Sequence, residues 1–193
     1  MMITLTGFMG SGKTTVGKVL ADFLGCLFID LDDLVVKKAG KSIPDIFAQD
    51  GEPAFRLLEA QVLRKTVEKY AESTAVLALG GGAVLAPASA ALLQEKTTCI
   101  YLRATLDTLL ARLEGETAGR PLLQEIPDQV GDDGGSVVMP GPGSSVMPGP
   151  DRASVADRLA FREPIYEKTA HVIIDTDGLS PDEVADEIII SAL

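Results

Sequence analysis

The run Gly7-Phe8-Met9-Gly10-Ser11-Gly12-Lys13-Thr14 constrains this chain more than any other stretch. It fits G-x-x-x-x-G-K-[ST], the pattern of a loop that wraps phosphate groups. An apolar run over 3–6 precedes it and a helical pattern over 13–24 follows, which is the setting the pattern needs. Glycines let the backbone curl until successive N–H groups face one point. The helix start adds the positive end of its dipole. Gly10, Ser11, Gly12, Lys13, Thr14 and Thr15 are therefore candidate nucleotide contacts, with Lys13 reaching the β- and γ-phosphates and Thr14 ligating Mg²⁺. The loop implies a nucleoside triphosphate but does not separate kinase, GTPase and motor. No N-K-x-D-like base-reading motif is present, and 193 residues is short for a motor, so a small-molecule kinase leads.

The rest of the chain supplies the fold in which such a loop works. Apolar runs without polar alternation recur at 3–6, 26–29, 75–79, 98–102 and 172–174. Such runs read as strands covered on both faces, hence a parallel sheet. Helical patterns lie between them. Residues 13–24 place Val16, Val19, Leu20 and Phe23 on one face. Residues 53–70 do the same with Phe55, Leu58, Val62 and Leu63, and Pro53 suits a first turn. Residues 105–114 and 151–169 are further helices. The last helix is signalled by Ser180 as cap, Pro181 at the first position and Asp182 and Glu183 behind it. Alternating strands and helices predict a single three-layer α/β domain over 1–193, a five-stranded parallel sheet with helices on both faces.

Two stretches need separate treatment. Residues 73–93 carry no charge over a membrane-spanning length, but Gly80, Gly81, Gly82 and Pro87 interrupt them; a buried strand, a glycine loop and a helix start fit better. Residues 124–150 include a glycine–proline segment with Val138-Met139-Pro140-Gly141-Pro142 repeated at 146–150. That composition favours a flexible or polyproline-like loop, read as a tolerated surface insertion.

Seventeen basic against 28 acidic side chains leave a net charge of −11. This argues against a polybasic nucleic-acid or membrane-surface binder, so any anionic ligand must be held by a local cluster of cations. Cys26 and Cys99 lie in apolar runs and read as buried free thiols, which suits a reducing cytoplasm. No positive segment leads into an apolar core at the start of the chain, so no secretory signal is expected. His171, the one histidine, has no matching motif and is given no role.

Further candidates have two readings each. Asp30 and Asp32 are two apart at a strand's carboxyl end, where ligand sites of α/β folds form; if the strand persists both point the same way. A helix-capping cluster is the alternative. Arg56 and Glu59 share a helix face, as a surface pair or as a carboxylate clamp with its orienting partner. The glycine triplet is a tight connection or a place of close ligand approach. Arg158 is equally a surface or a site residue.

Taken together, six segments in order resemble the shikimate kinase family: 7–18, Phe28-Ile29-Asp30-Leu31-Asp32-Asp33, Gly51 to Glu59 (G-E-x-x-F-R-x-x-E), Leu79-Gly80-Gly81-Gly82-Ala83, Arg120-Pro121-Leu122-Leu123 and Arg162-Glu163-Pro164-Ile165-Tyr166. The resemblance covers nearly the whole chain except 124–150. It implies a P-loop kinase fold and transfer of the ATP γ-phosphate to the 3-hydroxyl of shikimate with Mg²⁺, on the route to chorismate and the aromatic amino acids. It implies that Asp30 holds Mg²⁺ through water and that Asp32 orients the acceptor hydroxyl or acts as its base. It makes Arg56 and Arg162 the carboxylate clamps, with Glu59 orienting Arg56, and lines the acceptor pocket with Gly80, Gly81 and Gly82. Phe47 and Phe55 form its apolar wall or ordinary core. Arg120 closes over the phosphates from a lid, joining Lys13 and Asp32 as catalytic residues. Arg112 stacks on adenine with Pro181 near its other side. ATP and shikimate are then the partners of a cytoplasmic monomer, with neither nucleic acid nor membrane involved. The chain departs from the family in the span from Arg120 to Arg162, 42 residues, lengthened by the glycine–proline segment in or beside the lid. The loop from Asp175 to Pro181 carries no basic residue. A gluconate-type sugar-acid kinase is a rival against which Asp-x-Asp, F-R-x-x-E and the glycine triplet argue. A non-catalytic nucleotide-binding module is another, against which Lys13, Asp32 and Arg120 argue.

Overall fold

Five short strands form one parallel sheet in a computed structural model that describes residues 1–117 and 152–192. Arg120 and the segment 124–150 lie outside the described residues, as does the one-domain reading where it includes them. The strands are β1 (Met2–Thr6), β2 (Leu27–Asp30), β3 (Ala75–Ala78), β4 (Thr98–Arg103) and β5 (Val172–Asp175), in the order β2-β3-β1-β4-β5. The helices are α1 (Lys13–Leu24), α2 (Leu31–Ala39), α3 (Ile43–Lys69), α4 (Pro87–Lys96), α5 (Leu106–Thr117), α6 (Arg152–Thr169) and α7 (Pro181–Ala192). The three-layer reading holds. Ile3, Leu5, Val76, Ile100 and Leu102 face α1 and α7 in one core. Met2, Ala75, Leu77 and Tyr101 face the other, with Leu63 and Val67 of α3, Leu93 of α4 and Val155 of α6. That division is the period of two along a strand.

The sequence reading of the edges needs correction. β1 and β3 are buried throughout, but β2 and β5 are not: Leu27 and Ile173 are exposed. Outer strands have a neighbour on one side only, so part of their side chains meets solvent. A second correction concerns α1. Phe23 is 67% exposed, and the buried arc is Val16, Gly17, Leu20 and Ala21. Small Gly17 and Ala21 let the helix settle close to the sheet; a Cβ on Gly17 would lie 2.5 Å from the Phe28 ring. The helix is thereby rotated so that Phe23 stands at the edge of its packed face. α2 was not expected, and it follows β2 directly. α3 is broken at Gly51 (φ 80, ψ 167), so its second part begins where Pro53 predicts a first turn. At α7, the Ser180 hydroxyl accepts from the Glu183 N–H and the Glu183 carboxylate from the Ser180 N–H, a reciprocal cap. No helix among the described residues is long and apolar enough to cross a membrane.

Register places the site. Asp30 pairs with Ala78, and Ala78 with Leu5, so β1, β2 and β3 end level. The phosphate loop, the acidic segment and the glycine triplet leave the sheet side by side at its carboxyl edge.

Candidate active site

The phosphate loop closes as its motif requires. Gly7, Gly10 and Gly12 all have positive φ (146°, 78° and 92°), a region that side-chain-bearing residues seldom occupy. A Cβ on Gly7 would also sit 2.7 Å from the Leu102 carbonyl. Ser11 is buried, and its N–H donates to the Phe8 carbonyl at 3.2 Å. Lys13, first residue of α1, donates its Nζ to the carbonyls of Gly7 (2.9 Å) and Phe8 (2.8 Å), which keeps the ammonium over the loop. Thr14 and Thr15 follow in the exposed first turn of α1.

The acidic segment does not continue as a strand. β2 ends at Asp30, which caps α2, and Asp32 lies in the first helical turn. The two carboxylates therefore do not share a strand face. Instead Asp30 uses its two oxygens separately: Oδ1 accepts from the Asp32 N–H at 3.0 Å, and Oδ2 accepts from the Thr14 hydroxyl at 3.0 Å. A carboxylate beside a hydroxyl at the mouth of a phosphate loop is a hard-oxygen donor set that suits Mg²⁺, which otherwise keeps waters and phosphate oxygens. Burial pushes the Asp32 carboxyl above its ordinary value, with neighbouring Asp30 adding to this and Lys13 opposing it. Asp33 is exposed.

Arg56 is pinned on both sides. Its Nη1 donates to Glu59 at 3.0 Å and its Nε to Glu52 at 3.2 Å. Glu59 is only 3% exposed, and burial holds its carboxyl above the ordinary value although Arg56 pulls it down. The Arg56 guanidinium also lies 5.2 Å from the Phe55 ring, and Phe47 and Phe55 meet with centroids 4.6 Å apart. Phe55 belongs to the core, and Phe47 packs on it from its edge.

The glycine triplet is where these parts meet. Where Gly80 lacks a Cβ, Asp32 Oδ1 and Glu59 Oε1 come within 2.8 and 2.9 Å. At Gly82 the place of a Cβ is 2.3 Å from Arg56 Nη1. At Gly81 it is 3.7 Å from Arg162 Nη1 and 3.7 Å from the Met9 nitrogen of the phosphate loop. Arg162, on α6, is 6% exposed and lies over the Phe8 ring. Two guanidinium groups and two carboxylates thus close around three residues that have no side chains, next to the phosphate loop. In a chain of charge −11 this brings two planar guanidinium forks to one place, with Asp32, Glu52 and Glu59 balancing their charge.

On the other flank Arg112 donates to the Thr176 hydroxyl (3.1 Å) and carbonyl (2.8 Å). This ties α5 to the loop that leads into Pro181. Asp177 in the same loop accepts from the Thr105 N–H at 3.1 Å. The remaining candidates are structural. His171 accepts from the Cys99 N–H at 3.0 Å and joins Gln94 to the sheet. Arg158 is half-buried and bonds Ser154 on its own helix. Cys99 is buried and burial pushes its thiol up to about 11; Cys26 is half-buried, contrary to the expectation of full burial. Two residues that lie in the quoted motifs but were assigned no role are Glu52, the second carboxylate on Arg56, and Tyr166, whose phenol donates to the Gly81 carbonyl. Glu52 was detectable as the i−4 neighbour of Arg56. Tyr166 lies 85 positions from Gly81, so its motif gave no sign of which group it would bond.

The family model described as shikimate kinase matches residues 9–192. A shikimate kinase of Salinibacter ruber is 41% identical over 92% of this chain and 78% of its own length. One of Enterococcus faecalis is 36% identical over 97% of this chain and 95% of its own. Among solved structures, the Acinetobacter baumannii shikimate kinase in complex with shikimate superposes with a TM-score of 0.77 at 31% identity, covering 97% of this chain and 90% of that one.

Proposed function

Because the chain belongs to the shikimate kinase family, we propose that the residues gathered at the glycine triplet hold the acceptor while the phosphate loop holds ATP. The enzyme transfers the γ-phosphoryl group of ATP to the 3-hydroxyl of shikimate, giving shikimate 3-phosphate and ADP. The observation that carries the division of labour is the closure of Arg56, Arg162, Asp32 and Glu59 around Gly80, Gly81 and Gly82.

In this reading Arg56 and Arg162 take the shikimate carboxylate, and Glu59 and Glu52 keep Arg56 aimed. Asp32 accepts a hydrogen bond from the acceptor hydroxyl and takes its proton as the bond to phosphorus forms. A carboxyl held above its usual range by burial is better matched to that proton than a solvated one. Gly10, Ser11, Gly12 and Thr15 surround the phosphates, and Lys13 leaves the loop carbonyls to reach the β- and γ-phosphates. Thr14 and Asp30 would hold Mg²⁺, which when bound neutralises charge on the phosphate oxygens. Arg120 adds positive charge to the transferring group from the lid, and Arg112 and Pro181 bracket the adenine. The segment 131–150 acts as a passive insertion, since each doubling of loop length costs only about 0.6 kcal/mol.

A coupled ADP-release assay with and without shikimate tests the activity directly; release that ignores shikimate would contradict it. Arg56→Ala separates the roles. Loss of a charge-assisted bond of about 1.5–3 kcal/mol corresponds to a rise of roughly 10- to 100-fold in the KM for shikimate, with the KM for ATP nearly unchanged. Equal weakening of both substrates would remove Arg56 from the acceptor site.

A further inference from the structure

A run of three glycines has no side chain with which to anchor itself, so its position must be set by what bonds its backbone. The three carbonyls can be accounted for one by one. Gly80 accepts from the Ala83 N–H at 3.0 Å and Gly82 from the Leu85 N–H at 3.1 Å, both within the turn. Gly81 accepts from the Tyr166 hydroxyl, the contact among these that reaches outside the segment. Tyr166 is fully buried, and its ring packs on Tyr101 of β4 with centroids 5.1 Å apart. The sheet thereby fixes where the phenol oxygen lies. Arg162 stands one helical turn earlier on α6, so the same turn brings a guanidinium and a phenol to the same glycine.

We infer that Tyr166 is a positioning residue for the phosphoryl acceptor: by holding the Gly81 carbonyl it sets the triplet against Arg56, Arg162 and Asp32. This rests on the reading of the triplet as the acceptor platform. A released triplet shifts relative to all three side chains at once, and misplacement of about 1 Å in a reacting geometry costs on the order of 100-fold in rate. The phosphate loop is tied by its own Ser11–Phe8 bond and by Lys13, neither of which the Tyr166 hydroxyl touches, so ATP binding is spared.

Tyr166→Phe keeps the ring and its packing and removes one oxygen. The expected result is a KM for shikimate raised about tenfold with kcat lowered several-fold, while the KM for ATP stays within twofold. Parent and variant are measured in the same assay, with melting temperatures alongside. Unchanged constants for both substrates, or equal rises for both, overturn the role. A variant that yields no folded protein makes Tyr166 a folding residue and overturns it too. A parent that leaves shikimate unphosphorylated overturns the functional reading and this role with it, whereas an active parent with an unaltered variant overturns the role alone.

Discussion

Gly82→Ala tests the geometry of the site with a single methyl group. Gly82 is not among the positive-φ glycines, so alanine can adopt its backbone without strain. The added Cβ would fall 2.3 Å from Arg56 Nη1, 2.6 Å from Cζ and 2.7 Å from Nη2, where ordinary contact begins near 3.4 Å. The guanidinium must therefore retreat by about 1 Å, a distance large enough to matter for catalysis. It cannot retreat freely, because Glu59 holds it at 3.0 Å and Glu52 at 3.2 Å. Losing one such bond costs about 1.5–3 kcal/mol at full strength, and part-exposure reduces that to roughly 1–2 kcal/mol of stability. For a chain of this size the melting temperature then falls by about 2–8 °C. The larger effect is on the acceptor: a KM for shikimate raised on the order of tenfold or more, with the KM for ATP within twofold. In an Arg56→Ala background the same alanine should cost nothing further, since the clash partner is gone. A shikimate KM within twofold of the parent, or equal costs in both backgrounds, would refute the placement of Arg56 over Gly82.

Three further outcomes follow from packing and charge. Gly17→Ala gains about 1 kcal/mol of helix propensity but drives a Cβ to 2.5 Å from the Phe28 ring and 3.3 Å from Leu5. Overpacking of about 1–3 kcal/mol wins, and thermal unfolding should show a lower midpoint; a higher one would mean that Phe28 moves aside at no cost. The Thr6 hydroxyl is buried with no partner among the described residues, so Thr6→Val removes a desolvated polar atom at constant shape. Stability should rise by about 1 kcal/mol and the midpoint by about 2–4 °C, and a fall would reveal a bond to that oxygen. Asp175 accepts from Arg103 at 2.6 Å, which with the opposing effect of slight burial leaves its carboxyl below the ordinary value. A depressed carboxylate contributes stability above its unfolded value, about 3.9, and loses it as pH falls through the folded one. Asp175→Asn should therefore flatten the loss of melting temperature below about pH 4. The change is small, since an exposed pair is worth under about 1 kcal/mol, and an unchanged acid slope would show the pair to be inert.

What was legible in the sequence was local. Fully buried parallel strands announce themselves by unbroken apolar runs, and the phosphate loop by glycines whose positive φ few other residues tolerate. The α7 cap was readable for the same reason, because Ser180 and Glu183 meet within one turn. Phe23 shows where this ends. An apolar count puts it on the packed face of α1, but the face is decided by which residues let the helix approach the sheet, and those are Gly17 and Ala21. Hydrophobicity measures what a side chain gains by burial and says nothing about how close its absence allows two backbones to come. The meeting of Arg56, Arg162 and Tyr166 at the triplet is of the same kind. It joins segments far apart in sequence through the vacancies of Gly80, Gly81 and Gly82, and only the order of the motifs hinted at it.

Asp30 carries the point further. A capping residue and a metal-binding residue are alternatives when the sequence alone is weighed, since either explains an aspartate after an apolar run. In the fold Asp30 is the cap, and the proposed metal role is compatible with it. Oδ1 accepts from the Asp32 N–H and so starts α2, and that start is what turns Asp32 from the strand toward Gly80. Oδ2 remains directed at Thr14, on the side of the phosphate loop. The cap therefore does not compete with the proposed ligand role, since it uses one oxygen and leaves the other toward Thr14, while the helix that Asp30 initiates carries Asp32 to Gly80. A substitution such as Asp30→Asn, which can still cap through its side-chain oxygen, should keep the fold and the placement of Asp32 while weakening the Mg²⁺ dependence of turnover. Asp30→Ala should lose both, and if the two variants behaved alike, cap and ligand would have to be separate after all.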